Sequence, residues 1–368
     1  MTWNWQHKNW PQFIYSEEEF KAYELKFFEN AGMLYGSLKH VDDDEQQALK
    51  IDLISDEAYK TSEIEGEILN RDSIQSSIRR QLGLQVDHRR VEPAEQGIAQ
   101  MMVDLYRNYD APLDQQSLSL WHKMLTNGRR DLVDIGCYRT HDDPMQIVSG
   151  PFGRSIIHFE APPSKDVPEQ MDAFINWFNH SNKGQVNELP PLIRSAIAHL
   201  YFECIHPFED GNGRIGRAIS EKSLSQSLGR PTLIAFSHAI QEQKKSYYNA
   251  LEKNNRDLDI SDWITYFCEM VLEAQAFTQK TINFVIEKGK FYKRFSDQLN
   301  ERQTQVAERI FKEGFKGFDG GLSSKNYQTI SGAPSATATR DLTKLVEIGA
   351  LIKKGELKFT RYYLNIKS

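Results

Sequence analysis

Twelve consecutive residues, His206-Pro207-Phe208-Glu209-Asp210-Gly211-Asn212-Gly213-Arg214-Ile215-Gly216-Arg217, gather most of the chemistry that this 368-residue chain advertises. Gly211 and Gly213 let a backbone turn tightly and approach a ligand closely. A helix beginning there would offer free N–H groups and a positive dipole end to an anion. Arg214 and Arg217, three apart on such a helix, project from one face near its N-terminus and add planar, bidentate donors matched to phosphate. Asp210 supplies a carboxylate beside those phosphates, where a magnesium ion bridging protein and triphosphate is needed. His206, with an ordinary pKa of about 6.5, can take the proton of an attacking hydroxyl at neutral pH. Together these are the parts for attack on a phosphoryl group.

Gly211 to Gly216 also satisfies the G-x-G-x-x-G pattern of dinucleotide folds. That reading fails on context: the preceding segment is helical rather than a strand, and Pro231-Thr232-Leu233-Ile234-Ala235-Phe236 offers no acidic group to a ribose. No Walker A lysine motif occurs.

The stretch resembles the Fic family signature, H-P-F-x-[D/N]-G-N-G-R-x-x-R, at every defined position. The resemblance implies a mainly α fold: a helical Fic core with a small β-hairpin flap. It further implies transfer of AMP from ATP to a Ser, Thr or Tyr hydroxyl of a target protein or of the chain itself. His206 would be the general base, Asp210 the residue holding Mg2+ (or Mn2+), and Gly211, Asn212, Gly213, Arg214, Gly216 and Arg217 the nucleotide site. Thr61-Ser62-Glu63-Ile64-Glu65-Gly66 resembles the family's inhibitory motif, [S/T]-x-x-x-E-[G/N]. There the Glu65 carboxylate would pair with Arg217 and occupy the place of a γ-phosphate. In some relatives the same glutamate positions a water that removes AMP, so de-AMPylation or a bifunctional enzyme stays open. Another nucleotide or a phosphocholine donor also stays open, because an anion hole reads the diphosphate and not the attached group. Residues 145–159, with Ile147, Val148 and His158, resemble the flap onto which a target segment adds as a strand. Tyr247, Tyr248 and Asn255 fall in a segment resembling the adenine and ribose pocket.

These groups need elements to carry them. Apolar spacing predicts helices over 16–40 (Phe20, Tyr23, Leu25, Phe27, Phe28) and from Asp56 to about Leu69, with Asp56 as cap. Further helices are expected over 95–106 and over 114–124, the latter capped by Asp114. Met145–Val148 and Ser155–Phe159 flank Gly150-Pro151-Phe152-Gly153 as two strands and a turn. Pro190-Pro191 opens a helix carrying Ile193, Ala196, Ile197, Leu200, Tyr201 and Cys204. A second helix runs from near Gly213 to Gly229, and His206 to Asn212 lie between the two.

Ser324–Ile330 and Ser335–Ile348 read as a helix pair with Leu342, Leu345 and Val346 inward, followed by a hairpin of Leu351-Ile352 and Leu357–Leu364. This resembles a winged helix-turn-helix, with Thr337, Thr339, Arg340, Thr343, Lys344, Lys353, Lys354, Lys358 and Arg361 facing outward. The expected division is an N-terminal helical region with the inhibitory helix (1–94), the Fic core (95–299) and the winged helix (300–368).

Net charge is −6, and residues 301–368 hold twelve Lys/Arg against seven Asp/Glu, so the tail is +5 and the remainder −11. That asymmetry points to an anionic partner for the tail. DNA is the obvious one, and protein docking or a homodimer interface are the alternatives. A DNA-bound regulator with a nucleotide-sensing core is a rival for the whole chain, although a sensor needs neither His206 nor Asp210. Hydrophobic residues at 39% and charged residues at 26% are those of a globular protein. Three scattered cysteines, Cys137, Cys204 and Cys268, fit a reducing compartment. With no visible secretory signal, and Arg194 and His199 interrupting the most apolar stretch, no membrane span and a cytoplasmic location are expected.

Overall fold

The computed structural model describes residues 2–85, 90–150, 156–315 and 317–366, and these are mainly helical with two small antiparallel hairpins. In chain order the elements are α1 (Glu17–Leu38), α2 (Asp43–Ile64), α3 (Arg71–Gln81), α4 (Pro93–Arg107), α5 (Gln115–Leu125), β1 (Gln146–Ser149), β2 (Ile156–Glu160), α6 (Val167–His180), α7 (Pro191–Ile205) and α8 (Asn212–Leu228). They continue with α9 (Phe236–Glu242), α10 (Lys244–Lys253), α11 (Ser261–Phe295), α12 (Glu301–Lys312), α13 (Ser324–Ser331), α14 (Ser335–Glu347), β3 (Leu351–Lys354) and β4 (Arg361–Leu364). Two compact units result, one of Met1–Gly32 and Lys50–Ala276, the other of Met33–Leu49 and Phe277–Ser368.

The first unit is organised around the α7–α8 pair. Pro191 sits at the first turn of α7, where its missing N–H costs nothing. Ala198, Tyr201, Phe202 and Ile205 of α7 share a core with Ile215, Ala218 and Ile219 of α8, Trp121 of α5 and Phe174 and Phe178 of α6. Removing a ring such as Phe202 from such a core costs about 3–5 kcal/mol. Two polar residues buried in α7 are satisfied: Arg194 donates to Phe178 O, Gln226 Oε1 and Ser223, and His199 lies between Ser220 Oγ (2.9 Å) and Tyr247 OH (2.7 Å). No helix among the described residues is long and apolar enough to cross a membrane.

Asp114 caps α5, accepting from Ser117 N at 2.7 Å, as its type and position predict. The helix expected from Asp56 to Leu69 differs. It begins at Asp43 and ends at Ile64, so Asp56 lies inside it. The end is a Schellman cap: Gly66 takes φ +85°, Gly66 N donates to Glu63 O and Glu67 N to Ser62 O. Beyond it the chain cannot continue as helix, and Ile68 is exposed.

The β1–β2 hairpin pairs Gln146 with Glu160, Ile147 with Phe159, Val148 with Ile157 and Ser149 with Ile156, with an irregularity between Ile147 and Val148. The expected turn residues Pro151, Phe152 and Gly153, and Ser155, lie outside the described residues.

In the second unit, Leu342, Leu345, Tyr327, Ile310 and Leu351 form a core with Phe291 and Phe295 of α11. Asp341 is buried there and accepts from Arg302 Nε (2.9 Å) and Tyr327 OH (3.0 Å). The last strand starts at Arg361 rather than Leu357. Gly355 (φ +75°) and Leu357 (φ +49°) are left-handed, and Leu357–Phe359 form a short 3-10 turn that cannot pair with a strand. Thr339, Arg340, Thr343 and Lys344 of α14 are exposed, while Thr337 is half-buried.

Candidate active site

Every group singled out in the 206–217 stretch converges on the junction of α7 and α8. His206 ends α7 in the left-handed conformation (φ 50°, ψ 59°), which carries a cost of about 1–2 kcal/mol for a residue with a Cβ. Gly211 (φ 83°) starts α8. The first N–H groups of α8 therefore have no intrahelical partners and face the loop, a setting for an anion. Asn212 is committed to the loop itself: Phe208 N donates to its Oδ1 (3.0 Å) and its Nδ2 donates to Phe208 O (2.8 Å). Its side chain closes the turn, leaving the backbone to meet an anion.

The imidazole of His206 is largely buried, with Nδ1 3.3 Å from Glu203 O and 3.8 Å from Glu203 Oε2. Burial first, then the Arg139 guanidinium, push its pKa down to about 4, so the ring is neutral at physiological pH. Glu203 is itself buried, which raises its pKa to about 8, with the Glu65 carboxylate adding to the rise. Its Oε1 closes on Gly216, where a Cβ would come within 2.5 Å. Gly216 is thus a packing requirement under the site.

Both arginines are buried and both meet carboxylates. Arg217 Nη2 donates to Glu65 Oε1 at 2.7 Å and to Thr61 O at 2.9 Å, and Nε donates to Thr61 Oγ1 at 2.7 Å. Its Nη1 is buried with no hydrogen-bond partner among the described residues. Arg214 Nη1 donates to Glu67 Oε2 at 2.5 Å, and Nη2 lies 3.5 Å from Asp210 Oδ1. A Cβ on Gly213 would collide with Glu65 Oε1 and approach Arg217 Nη1 to 3.1 Å. The Glu65 carboxylate therefore lies directly on the anion loop.

Asp210 accepts from Arg129 Nη1 at 2.5 Å, and its Oδ1 accepts from Gly211 N at 2.6 Å. Burial alone would raise its pKa, but Arg214, Arg129 and the Gly211 N–H outweigh this and hold it below the ordinary value. The result is an ionised, partly exposed carboxylate beside an anion loop. No group of three or more His, Cys, Asp or Glu suited to a metal exists among the described residues. One carboxylate plus phosphate oxygens is the pattern by which magnesium is bound with a nucleotide, and Asp210 fits that pattern.

The aromatic candidates separate. Tyr247 is fully buried with its hydroxyl on His199, whereas Tyr248 is 39% exposed and its hydroxyl reaches Ile64 O (3.4 Å) at the end of α2. Asn255 Nδ2 donates to His158 O (3.2 Å), tying the end of α10 to β2. His158 is held by Glu252 (2.9 Å) and Ser149 Oγ (2.6 Å), while Ile147, Val148, Ile156 and Ile157 are exposed along the hairpin.

Four residues at the site escaped the sequence reading: Glu67, Arg129, Arg139 and Glu203. Glu67 could have been found, because it stands two residues from Glu65, just past the Gly66 that closes α2. Glu203 stands one helical turn before His206, a second usable signal. Arg129 and Arg139 are distant in sequence and carried none.

Residues 3–84 match a domain of unknown function, DUF4172, and residues 112–224 match the Fic/DOC family. The protein adenylyltransferase Fic of Drosophila grimshawi is 29% identical over 149 residues, 40% of this chain and 27% of the fly protein. That of Drosophila willistoni is 26% identical over 175 residues, 47% of this chain and 32% of its own. The chain thus spans about a third or less of these relatives' length. Among solved structures, a Fic family protein from Desulfovibrio desulfuricans aligns over 96% of this chain and 98% of its own, with TM-score 0.53 and 19% identity. A Fic domain containing signaling protein from Bacteroides thetaiotaomicron aligns over 69% and 97%, with TM-score 0.51 and 19% identity. These likenesses bear on the fold.

Proposed function

We propose, for a chain that carries a Fic/DOC-family domain at residues 112–224, that it is a protein adenylyltransferase held in check by its own α2 terminus. The observation that carries this reading is one turn of chain that joins a neutral imidazole to a helix N-terminus flanked by two buried guanidinium groups. In the reaction a target hydroxyl oxygen attacks the α-phosphorus of ATP. The new O–P bond forms as the bond from the α-phosphorus to the β-phosphate oxygen breaks, pyrophosphate leaves, and the hydroxyl proton passes to His206. Nδ1 faces Glu203, which leaves Nε2 as the accepting nitrogen. The α8 N–H groups, Arg214 and Arg217 bind the phosphate chain and orient the α-phosphate for in-line attack. Asp210 would hold Mg2+ or Mn2+ with the nucleotide, which supplies charge neutralisation there. The exposed apolar hairpin would offer an edge to an extended target segment and hold it by main-chain pairing, which reads little of the target's sequence.

Glu65 on Arg217 and Glu67 on Arg214 occupy the donors that a triphosphate needs. ATP labelled on its α-phosphate tests the reading: Glu65→Gly should place label on protein, and His206→Ala in that background should remove it. Label that persists without His206 would sink the assignment of the base.

For the second unit, the exposed Thr339, Arg340, Thr343 and Lys344 of α14, together with the exposed Lys353, Lys354 and Lys358 that follow in the chain, favour contact with duplex DNA. Binding that weakens steeply with salt is the expected result, and salt-insensitive or absent binding would favour protein docking instead.

A further inference from the structure

Arg139 is a buried cation with no carboxylate against it among the described residues. It lies between α5 and β1, is 2% exposed, and spends its guanidinium on backbone and hydroxyl oxygens from two places. On one side Nε donates to His206 O at 2.8 Å and Nη2 approaches Ile205 O at 3.4 Å, while its own N–H donates to Pro207 O at 2.9 Å. On the other, Nη2 donates to Pro162 O at 2.5 Å and Nη1 to Ser164 Oγ at 2.8 Å, just after β2 ends. Ser164 Oγ in turn donates to His141 O at 2.6 Å, on the approach to β1. Burying a charge without a counter-ion is costly, and an apolar residue would fill the space without that cost. What only a planar, multiply donating group can do is hold these carbonyls in one frame.

We propose that Arg139 is a positioning residue for the transfer, locking the left-handed His206 to the base of the β1–β2 hairpin so that base and docked hydroxyl keep one spacing. The inference rests on His206 being the base. A non-glycine residue in the left-handed region persists only where its surroundings over-determine it. Here the over-determination is the Arg139 bond to the His206 carbonyl, an oxygen at the helix end that has no helical partner. A shift of about 1 Å in such a frame costs about a hundredfold in rate without touching nucleotide contacts.

The same placement has an electrostatic consequence. His206 is faced by Arg139, by Glu203 of its own helix, by Glu65 from the end of α2 and by Asp210 of the loop. Among these Arg139 is the cation that opposes protonation of the ring, whereas Glu65 and Asp210 favour it.

The test compares Arg139→Gln and Arg139→Lys in the Glu65→Gly background, reading transfer kinetics and, by NMR, the titration of the His206 ring, assigned by its loss in His206→Ala. For Arg139→Gln we expect kcat to fall at least about tenfold with KM for ATP unchanged, and the ring to titrate closer to the ordinary value of about 6.5. For Arg139→Lys, which keeps the charge but cannot serve both sets of oxygens, we expect the fall in kcat with the ring titration retained. A parental kcat in either variant, or a ring titration unmoved in Arg139→Gln, overturns the proposal. If Arg139→Gln does not fold, Arg139→Lys alone decides through kcat. The NMR readout needs no turnover, so an inactive Glu65→Gly protein would count against the inhibitory reading while the Arg139 arm still reports.

Discussion

Glu65 Oε1 lies 2.7 Å from Arg217 Nη2 and fills the space into which a Cβ on Gly213 would project. One carboxylate thus lies against both an arginine and the backbone that starts α8. Replacing it should free both, and Glu65→Gly is expected to raise AMP transfer by about 5- to 150-fold, the range of an ordinary coupling free energy. Arg217 would then have an unsatisfied donor more, so the free variant should melt lower than the parent. ATP should raise its melting temperature by more than it raises the parent's. Equal labelling by the two proteins would end the idea of inhibition.

Glu67 holds the other arginine at 2.5 Å, and Arg214 is almost completely buried. Glu67→Gln keeps the side-chain shape and removes the charge. We expect labelling to rise about fivefold, less than for Glu65→Gly, and the double variant to fall short of the product of the two, since both residues share one turn. A Glu67→Gln rate equal to the parent's would reduce this contact to surface packing.

The pH dependence follows from the depressed His206 pKa of about 4, caused first by burial and then by Arg139. A base must be unprotonated to act, and a lowered pKa keeps it so well into acid. In Glu65→Gly, kcat/KM for ATP should therefore be level from neutrality down to about pH 5 and fall only below that, because this ratio reports the free enzyme. The stability sign runs the same way. The unfolded ring takes up a proton near pH 6.5 that the folded ring refuses until about 4, so His206 costs stability as pH drops through that window. An acid limb near 6.5 would mean a solvated imidazole.

The chemistry of 206–217 was legible because its residues are contiguous: glycines, arginines, an aspartate and a histidine within one helix junction need no tertiary information to be placed together. Helices α4, α5, α7, α8 and α14 followed from caps and apolar spacing for the same local reason. Two kinds of information were missing. Asn212 enters the nucleotide site through the resemblance, and that its side chain bonds Phe208 and leaves the backbone to face the site is a matter of loop geometry. The end of α2 was misplaced because Ile68 and Leu69 continue the apolar spacing, while the left-handed Gly66 stops the helix at Ile64. Arg139 and Arg129 meet the site across tertiary distance and leave no local signal.

Gly66 offers a substitution that should separate stability from activity. It takes φ +85° at the α2 cap, and a Cβ there meets nothing within 4 Å, so Gly66→Ala introduces backbone strain alone. The expected cost is about 1–2 kcal/mol of stability, read as a lower denaturation midpoint. That cost falls on the turn that presents Glu65 to Arg217 and Glu67 to Arg214 together. Loosening the turn releases both carboxylates, so the less stable protein should be the more active one. We expect about a fivefold gain in labelling, within the range of allosteric coupling. A variant that loses stability and gains no activity would show that the carboxylates are held by the helix body and not by its cap.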